Sequence, residues 1–205
     1  MKKLLLTGFD PFGGEKINPA WEAVKLVKDS IGDYEITKLQ VPTVFGKAGQ
    51  TVSAKADEIG ADVVLSIGQA GGRAEVTPEM IGINLRYGRI PDNEGNVPLD
   101  EPVVEKGPAG IFATLPARKM AEAIKDAGLP GKLSLSAGAF VCNDLLYSML
   151  YYFGTGDTPY NQRNKGIYLP GRQAYGCGCG HHGNRRHHRR YRITAVHRGS
   201  QADLP

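Results

Sequence analysis

Residues 62–68 read Asp-Val-Val-Leu-Ser-Ile-Gly, an apolar run too short for a helix, rich in β-branched residues and stopped by a glycine. Such a run marks a strand buried on both faces, the kind found in parallel sheets. Working back from it, Phe45 to Ile59 is a helix candidate and Tyr34 to Val41 a strand candidate. Asn18-Pro19 offers a helix cap with proline at the first helical position, and Trp21, Val24, Leu26, Val27 and Ile31 keep an amphipathic spacing up to Gly32. Lys3 to Phe9, with Leu4-Leu5-Leu6 ending in Thr7-Gly8, is a further buried strand. The order is βαβαβ.

Forward of residue 68 the pattern continues. Met80 to Tyr87 alternates as a half-buried strand, and Arg89 to Pro108 is rich enough in Pro, Gly and Asp to be a long ordered loop. Ala117 to Ala127 is helical and closed by Gly128, Leu133 to Ser136 is a short strand, and Asn143 to Phe153 is a strongly apolar helix. Strands alternating with helices predict an α/β, three-layer domain: a mainly parallel twisted sheet, helices on both faces, right-handed crossovers and an irregular C-terminal tail. Ligands of such folds sit at the carboxyl ends of the strands. Gly8-Phe9, Gly68-Gln69 and the stretch from Gly138 to Cys142 all follow expected strands and should converge there.

Composition narrows the possibilities. At 205 residues, 41% hydrophobic and 22% charged, the chain fits one ordinary core and excludes disordered, collagen-like and coiled-coil classes. No window reaches the roughly 18 apolar residues of a membrane span, and Met1-Lys2-Lys3 with three leucines is too short for a signal peptide. Three cysteines (Cys142, Cys177, Cys179) and no export signal argue against a disulfide framework and for a cytoplasmic location.

The net charge of +4 averages two unlike segments. Residues 161–205 carry nine Lys and Arg against Asp203 alone, a balance of +8, which leaves −4 on residues 1–160. All five histidines (His181, His182, His187, His188, His197) lie in that tail. The stretch 176–190 has neither helical nor strand period and no apolar face, so the expected division is an α/β domain over 1–154 and a basic Gly/Arg/His-rich tail over 155–205. Within the tail, only Gly166-Ile-Tyr-Leu-Pro170 reads as a strand. The arginines lack an aromatic platform and the body is acidic, so no nucleic-acid partner is expected.

Cys142 follows a strand and a small-residue turn and opens a helix. Unpaired N–H groups and the macrodipole at a helix start favour a thiolate and can bind an oxyanion, which suits a nucleophile. An unpaired cysteine among apolar residues is as readily inert core filling. The Gly-rich run Gly68-Gln-Ala-Gly-Gly72 lacks both the Walker Lys-Ser/Thr and the dinucleotide spacing, so it is not a phosphate loop.

Four motifs, in order and at matching spacing, break the tie. Thr7-Gly-Phe-Asp-Pro-Phe-Gly-Gly14 with Asn18-Pro19, Gly68-Gln-Ala-Gly-Gly-Arg73 with Pro78-Glu79, Arg89-Ile-Pro-Asp-Asn-Glu-Gly-Asn96, and Ser136-Ala-Gly-Ala-Phe-Val-Cys-Asn143 resemble pyroglutamyl peptidase I, also called pyrrolidone-carboxylate peptidase. The resemblance runs from about residue 3 to about residue 153. It implies a cytosolic, often tetrameric cysteine peptidase that removes N-terminal pyroglutamyl residues from small peptides through a thioester, with no cofactor, no metal and no membrane partner. Under it, Cys142 is the nucleophile and Glu79 the acidic member of a Cys-His-Glu triad. Phe9, Phe12 and Phe140 sandwich the lactam ring, Gln69 serves the lactam amide, and Arg89 lies near the oxyanion.

The family histidine is not in its place. One register sets Tyr168 there and the other Lys165, and both side chains titrate near ~10 in model peptides, too high for a base at neutral pH. Three readings follow. A tail histidine folds back, His181 or His182 being nearest in sequence; or Cys177-x-Cys179-x-His181-His182 binds a metal, although its cysteine spacing is not that of a zinc site. The third, preferred, is a coding frame slipped after about residue 155, which would delete the histidine strand and a covering helix together. The alternative function is then an inactive homologue that binds pyroglutamyl or lactam groups.

Overall fold

A computed structural model describes residues 1–154 and the backbone of residues 193–198. Lys165, Tyr168, the 166–170 strand and His181, His182, Cys177 and Cys179 lie outside the described residues. The element order is β1 (Lys2–Phe9), α1 (Pro19–Leu26), β2 (Ser30–Ile31), β3 (Tyr34–Val41), α2 (Lys47–Ile59), β4 (Val63–Gln69), β5 (Val76–Pro78), β6 (Ile81–Ile83), β7 (Gly110–Phe112), α3 (Ala117–Asp126), α4 (Val141–Gly154) and β8 (Ile193–Arg198). Six strands form one sheet in the order β2-β3-β1-β4-β8-β5, and β6 and β7 form a separate ribbon. β3, β1, β4 and β8 run parallel, while β2 and β5 close the two edges antiparallel. This is the α/β fold with a mostly parallel sheet that the strand and helix alternation predicts.

The alternation of β1 sorts the core into two layers. Leu6 packs with Val24 of α1 and Ile36 on one face, with Trp21, Leu65 and Ile67 around them. Leu5, Phe9 and Val41 face the other side, against Val52 of α2 and Val141, Leu145 and Met149 of α4. Each fully buried Leu or Val here contributes about 1.5–3 kcal/mol relative to exposure. Gly8 lets α1 lie directly on the sheet, since a Cβ there would stand 2.9 Å from the Cα of Trp21. Among the described residues no helix is long and apolar enough to cross a membrane.

Several elements depart from the sequence pattern for visible reasons. The first helix ends at Leu26 rather than near Gly32, because Ser30 and Ile31 pair with Glu35 and Tyr34 in a hairpin turning on Gly32, whose φ is 58°. The expected strand Met80–Tyr87 shrinks to β6. The Asn143 side chain accepts from the Ile83 N–H and donates to the Ile83 and Leu85 carbonyls, taking over partners a sheet neighbour would have used. Leu133–Ser136 is no strand, only isolated bridges beside β5, with Ser134 N–H on the Pro78 carbonyl and Met80 N–H on that of Ser134.

The long loop over 89–108 is irregular yet pinned. Asp92 accepts from the N–H groups of Phe45, Glu94 and Asn96. One element was not foreseen at all: β8, from the tail, sits inside the sheet between β4 and β5.

Candidate active site

The carboxyl ends of β1 and β4 and the start of α4 meet around one cavity of about 130 Å³. Phe9, Phe12, Gln69, Glu79, Phe140 and Cys142, six of the seven residues singled out from the sequence, line it. Arg89 does not; it is exposed on the long loop. Arg73, Asn18 and Thr43 line the cavity and were not foreseen as site residues.

Local chemistry fixes the aromatic wall. Asn18 caps α1 by accepting from the Ala20 N–H and donates its own amide to the Asp10 carbonyl, so the helix start and the Asp10–Gly14 loop are tied together. Asp10 in turn accepts from the Thr43 N–H and the Asn93 side chain. Phe12 is thereby held 6.2 Å from Phe140, ring centre to ring centre, and Phe45 meets Phe140 edge to face at 5.2 Å. Phe12 and Phe140 are tilted by 41°. A flat ring between parallel plates needs about 7 Å, two van der Waals spacings, so the pair forms an inclined wall rather than an open slot.

Cys142 is the second residue of α4, behind Phe140, whose carbonyl accepts from the Asn143 and Asp144 N–H groups. The N–H groups of Val141 and Cys142 fall in the first turn, which has no intrahelical acceptors, and that of Cys142 interacts with its own sulfur. Cys142 is half-buried and lines the cavity. Burial, and next the charge of Glu79, push the thiol up to about 12, against a smaller pull from its own backbone N–H. Left to these groups, the sulfur keeps its proton at neutral pH.

Glu79 is fully buried, directly after β5. Arg73 spans this corner, with Nη1 donating to Glu79 Oε1 at 3.2 Å, to Thr77 Oγ1 at 3.1 Å and to Ser134 Oγ at 3.2 Å, and Nη2 reaching the Ser136 carbonyl. Burial raises the Glu79 pKa, opposed by hydrogen bonding with Ser134 and by the Arg73 guanidinium. The arginine could have been found from sequence by asking what cation a buried acid at Glu79 would need. Among the described residues no group of three His, Cys, Asp or Glu is placed to hold a metal.

The arrangement therefore offers a thiol at a helix start, a carboxylate braced by an arginine, and an aromatic wall beside them. Comparison with known proteins identifies the family. Residues 2–171 match the profile of the family described as pyroglutamyl peptidase. The chain is similar to the pyrrolidone-carboxylate peptidase of Staphylococcus carnosus, 52% identical over 153 residues, covering 75% of this chain and 72% of that protein. A namesake from Finegoldia magna is 49% identical over 168 residues, covering 82% and 78%. In three dimensions, the crystal structure of pyroglutamyl peptidase I from Bacillus amyloliquefaciens superposes with a TM-score of 0.78 at 38% identity, covering 97% of this chain and 82% of that one. The chain belongs to the pyroglutamyl peptidase family of cysteine peptidases.

Proposed function

We propose that this chain removes N-terminal pyroglutamyl residues from small peptides by acyl transfer to Cys142. The carrying observation is that Cys142, Gln69, Glu79 and the Phe12–Phe140 wall line one small cavity. In this reading the Cys142 sulfur attacks the pyroglutamyl carbonyl, and the N–H groups opening α4 receive the oxyanion. The leaving amine departs protonated and water then hydrolyses the thioester. The apolar methylenes of the lactam lie on the phenylalanines, while Gln69 at the end of β4 serves its amide, a combination that rejects rings lacking that group.

The test is a panel of fluorogenic amides. Release from the pyroglutamyl amide and none from the prolyl or glutamyl amides is the expected result. Equal rates on prolyl and pyroglutamyl amides would overturn the lactam assignment. Phe12→Ala is expected to raise KM for the pyroglutamyl amide by about tenfold with kcat little changed, because the wall holds ground state and transition state alike.

Glu79 is assigned the task of orienting and charging the proton-transfer partner of the thiol. Its raised pKa means that the ionised form is the less favoured one inside the fold. The stability it gives is complete below the ordinary glutamate value and is lost as pH rises through the raised one. Glu79→Gln is therefore expected to unfold at an equal or higher denaturant concentration than wild type at pH 7, while turnover falls on the order of 10⁴-fold. Joint loss of stability and activity would make Glu79 a structural residue instead.

The second reading is a homologue that binds pyroglutamyl groups without cleaving them; burial, which pushes the Cys142 thiol up, is in keeping with it. Saturable binding of pyroglutamate with no amide release would support it. A cytoplasmic location and a homo-oligomeric assembly belong to the same proposal, as does the division of the chain at residue 154.

A further inference from the structure

We infer that Asn93 is a positioning residue of the cavity: reaching across from the long loop, it fixes the Pro11–Phe12 stretch and with it the aromatic wall. That the wall receives a pyroglutamyl ring rests on the peptidase reading of the site; the clamp itself does not.

The segment Arg89–Asn96 is one of the four sequence motifs, yet Arg89 at its head is exposed and away from the cavity. The motif acts through its middle. Asp92 is buried, and its carboxylate gathers the N–H groups of Glu94 and Asn96, at 2.9 Å each, into a tight turn completed by Gly95 at a φ of 84°. The same carboxylate takes the Phe45 N–H at 3.0 Å, and Lys47 pairs with Glu94. The turn is thus seated at the start of α2, where Phe45 meets Phe140. From this seat the Asn93 N–H donates to the Thr43 carbonyl at 3.0 Å. Its side-chain amide donates to Asp10 Oδ1 at 3.0 Å and to the Pro11 carbonyl at 2.8 Å.

Both side-chain partners are acceptors, so position 93 must supply two donors, and asparagine does so from one nitrogen. Proline has no N–H, which leaves its carbonyl as the one backbone group by which Pro11 can be held. Past Pro11 the chain turns at once: the Glu15 N–H closes on the Phe12 carbonyl at 3.2 Å, and Gly13 and Gly14 hold φ values of 65° and 83°. Two consecutive glycines transmit little restraint from the far side. Phe12 therefore stands between a residue that Asn93 holds and a pliant turn, with its ring 6.2 Å from that of Phe140. Asn93 is itself exposed, so the contact fixes the wall without being part of the core.

Asn93→Ala and Asn93→Asp are tested by kinetics on a pyroglutamyl amide and by amide hydrogen exchange over residues 9–16. Alanine is expected to raise KM about three- to tenfold with kcat within about twofold, since the wall holds ground state and transition state alike. In a Phe12→Ala background the same change should move KM by less than about twofold, because the effect passes through Phe12. Aspartate keeps the shape, gives up both donors and sets a second carboxylate beside that of Asp10, so it should do at least as much as alanine. Exchange of the Phe12–Glu15 amides is expected to quicken about tenfold in either variant while α2 and α4 keep their protection. An unchanged KM, a loss carried by kcat, wild-type behaviour of the aspartate variant, a KM effect that adds fully to that of Phe12→Ala, or unaltered exchange at 12–15 overturns the inference. A chain that releases nothing from pyroglutamyl amides yet shows the faster exchange would instead overturn the peptidase reading and leave the clamp standing.

Discussion

Cys142→Ser is expected to stop release of the fluorophore from a pyroglutamyl amide, with a fall in kcat on the order of 10⁴-fold or more, while the protein still binds the lactam. The reason is the difference between thiol and alcohol at this position. A sulfur at the start of α4 can be brought to the anion by one neighbouring base, and the dipole of the first turn then supports it. A serine hydroxyl in the same place is far harder to deprotonate. The substitution changes volume little, so the unfolding midpoint should move by no more than the equivalent of about 1 kcal/mol. Kinetics and a denaturant titration on the same preparation decide it. Undiminished turnover would place the nucleophile elsewhere and leave Cys142 as a packing residue.

Asp144→Ala is the second large effect, and it falls on stability rather than chemistry. Asp144 is fully buried; it accepts from the Gly46 N–H at 2.7 Å and pairs with Arg86 Nε, so it ties α4 to the start of α2 and to the segment after β6. Burial raises its pKa against the pull of the Arg86 charge and the Gly46 N–H. Its contribution is therefore largest at acid pH and declines as pH rises through the raised value, the reverse of an exposed aspartate pair. Charge alone does not make this pair stabilising. Removing one partner, however, strands the guanidinium of Arg86, whose side chain is only 22% exposed, and leaves the Gly46 N–H unanswered. Such a loss costs about 3–5 kcal/mol. Asp144→Asn, which can still accept from Gly46, should lose less, about 1–3 kcal/mol. An alanine variant within 1 kcal/mol of wild type would show that water reaches this corner.

The body of the fold was legible where one residue pattern had one partner. The 62–68 run became β4, Tyr34–Val41 became β3 at its expected bounds, and the glycines at 60 and 128 stand just past the ends of α2 and α3 with positive φ. The pattern misled where a side chain from far along the chain intervened. Nothing local to Met80–Tyr87 shows that Asn143 will capture its backbone, and nothing local to Ser30–Ile31 says that a hairpin will outcompete another turn of helix. At the site, the sequence motifs identified the aromatic wall, Gln69, Glu79 and Cys142 as neighbours in the cavity. They missed Arg73 because its partners, Glu79 and the Ser134–Ser136 stretch, lie in two segments far apart in sequence. They also missed β8, because Ile193-Thr-Ala-Val196 is a short apolar run set in a basic tail, and its strand character depends on the slot between β4 and β5.

That slot bears on the order in which the protein can be made. The ribosome finishes β4 and β5 more than a hundred residues before β8, yet β8 is the strand that joins them. At roughly 5–20 residues per second, about 6 to 26 s pass between the synthesis of Gln69 and that of Arg198. Throughout that interval β4 presents a bare parallel edge and β5 has no neighbour in the main sheet, the condition in which nascent chains pair with one another. Chaperone occupancy and soluble yield in the cell should thus respond to how quickly the last fifty codons are read, independently of how stable the finished protein is.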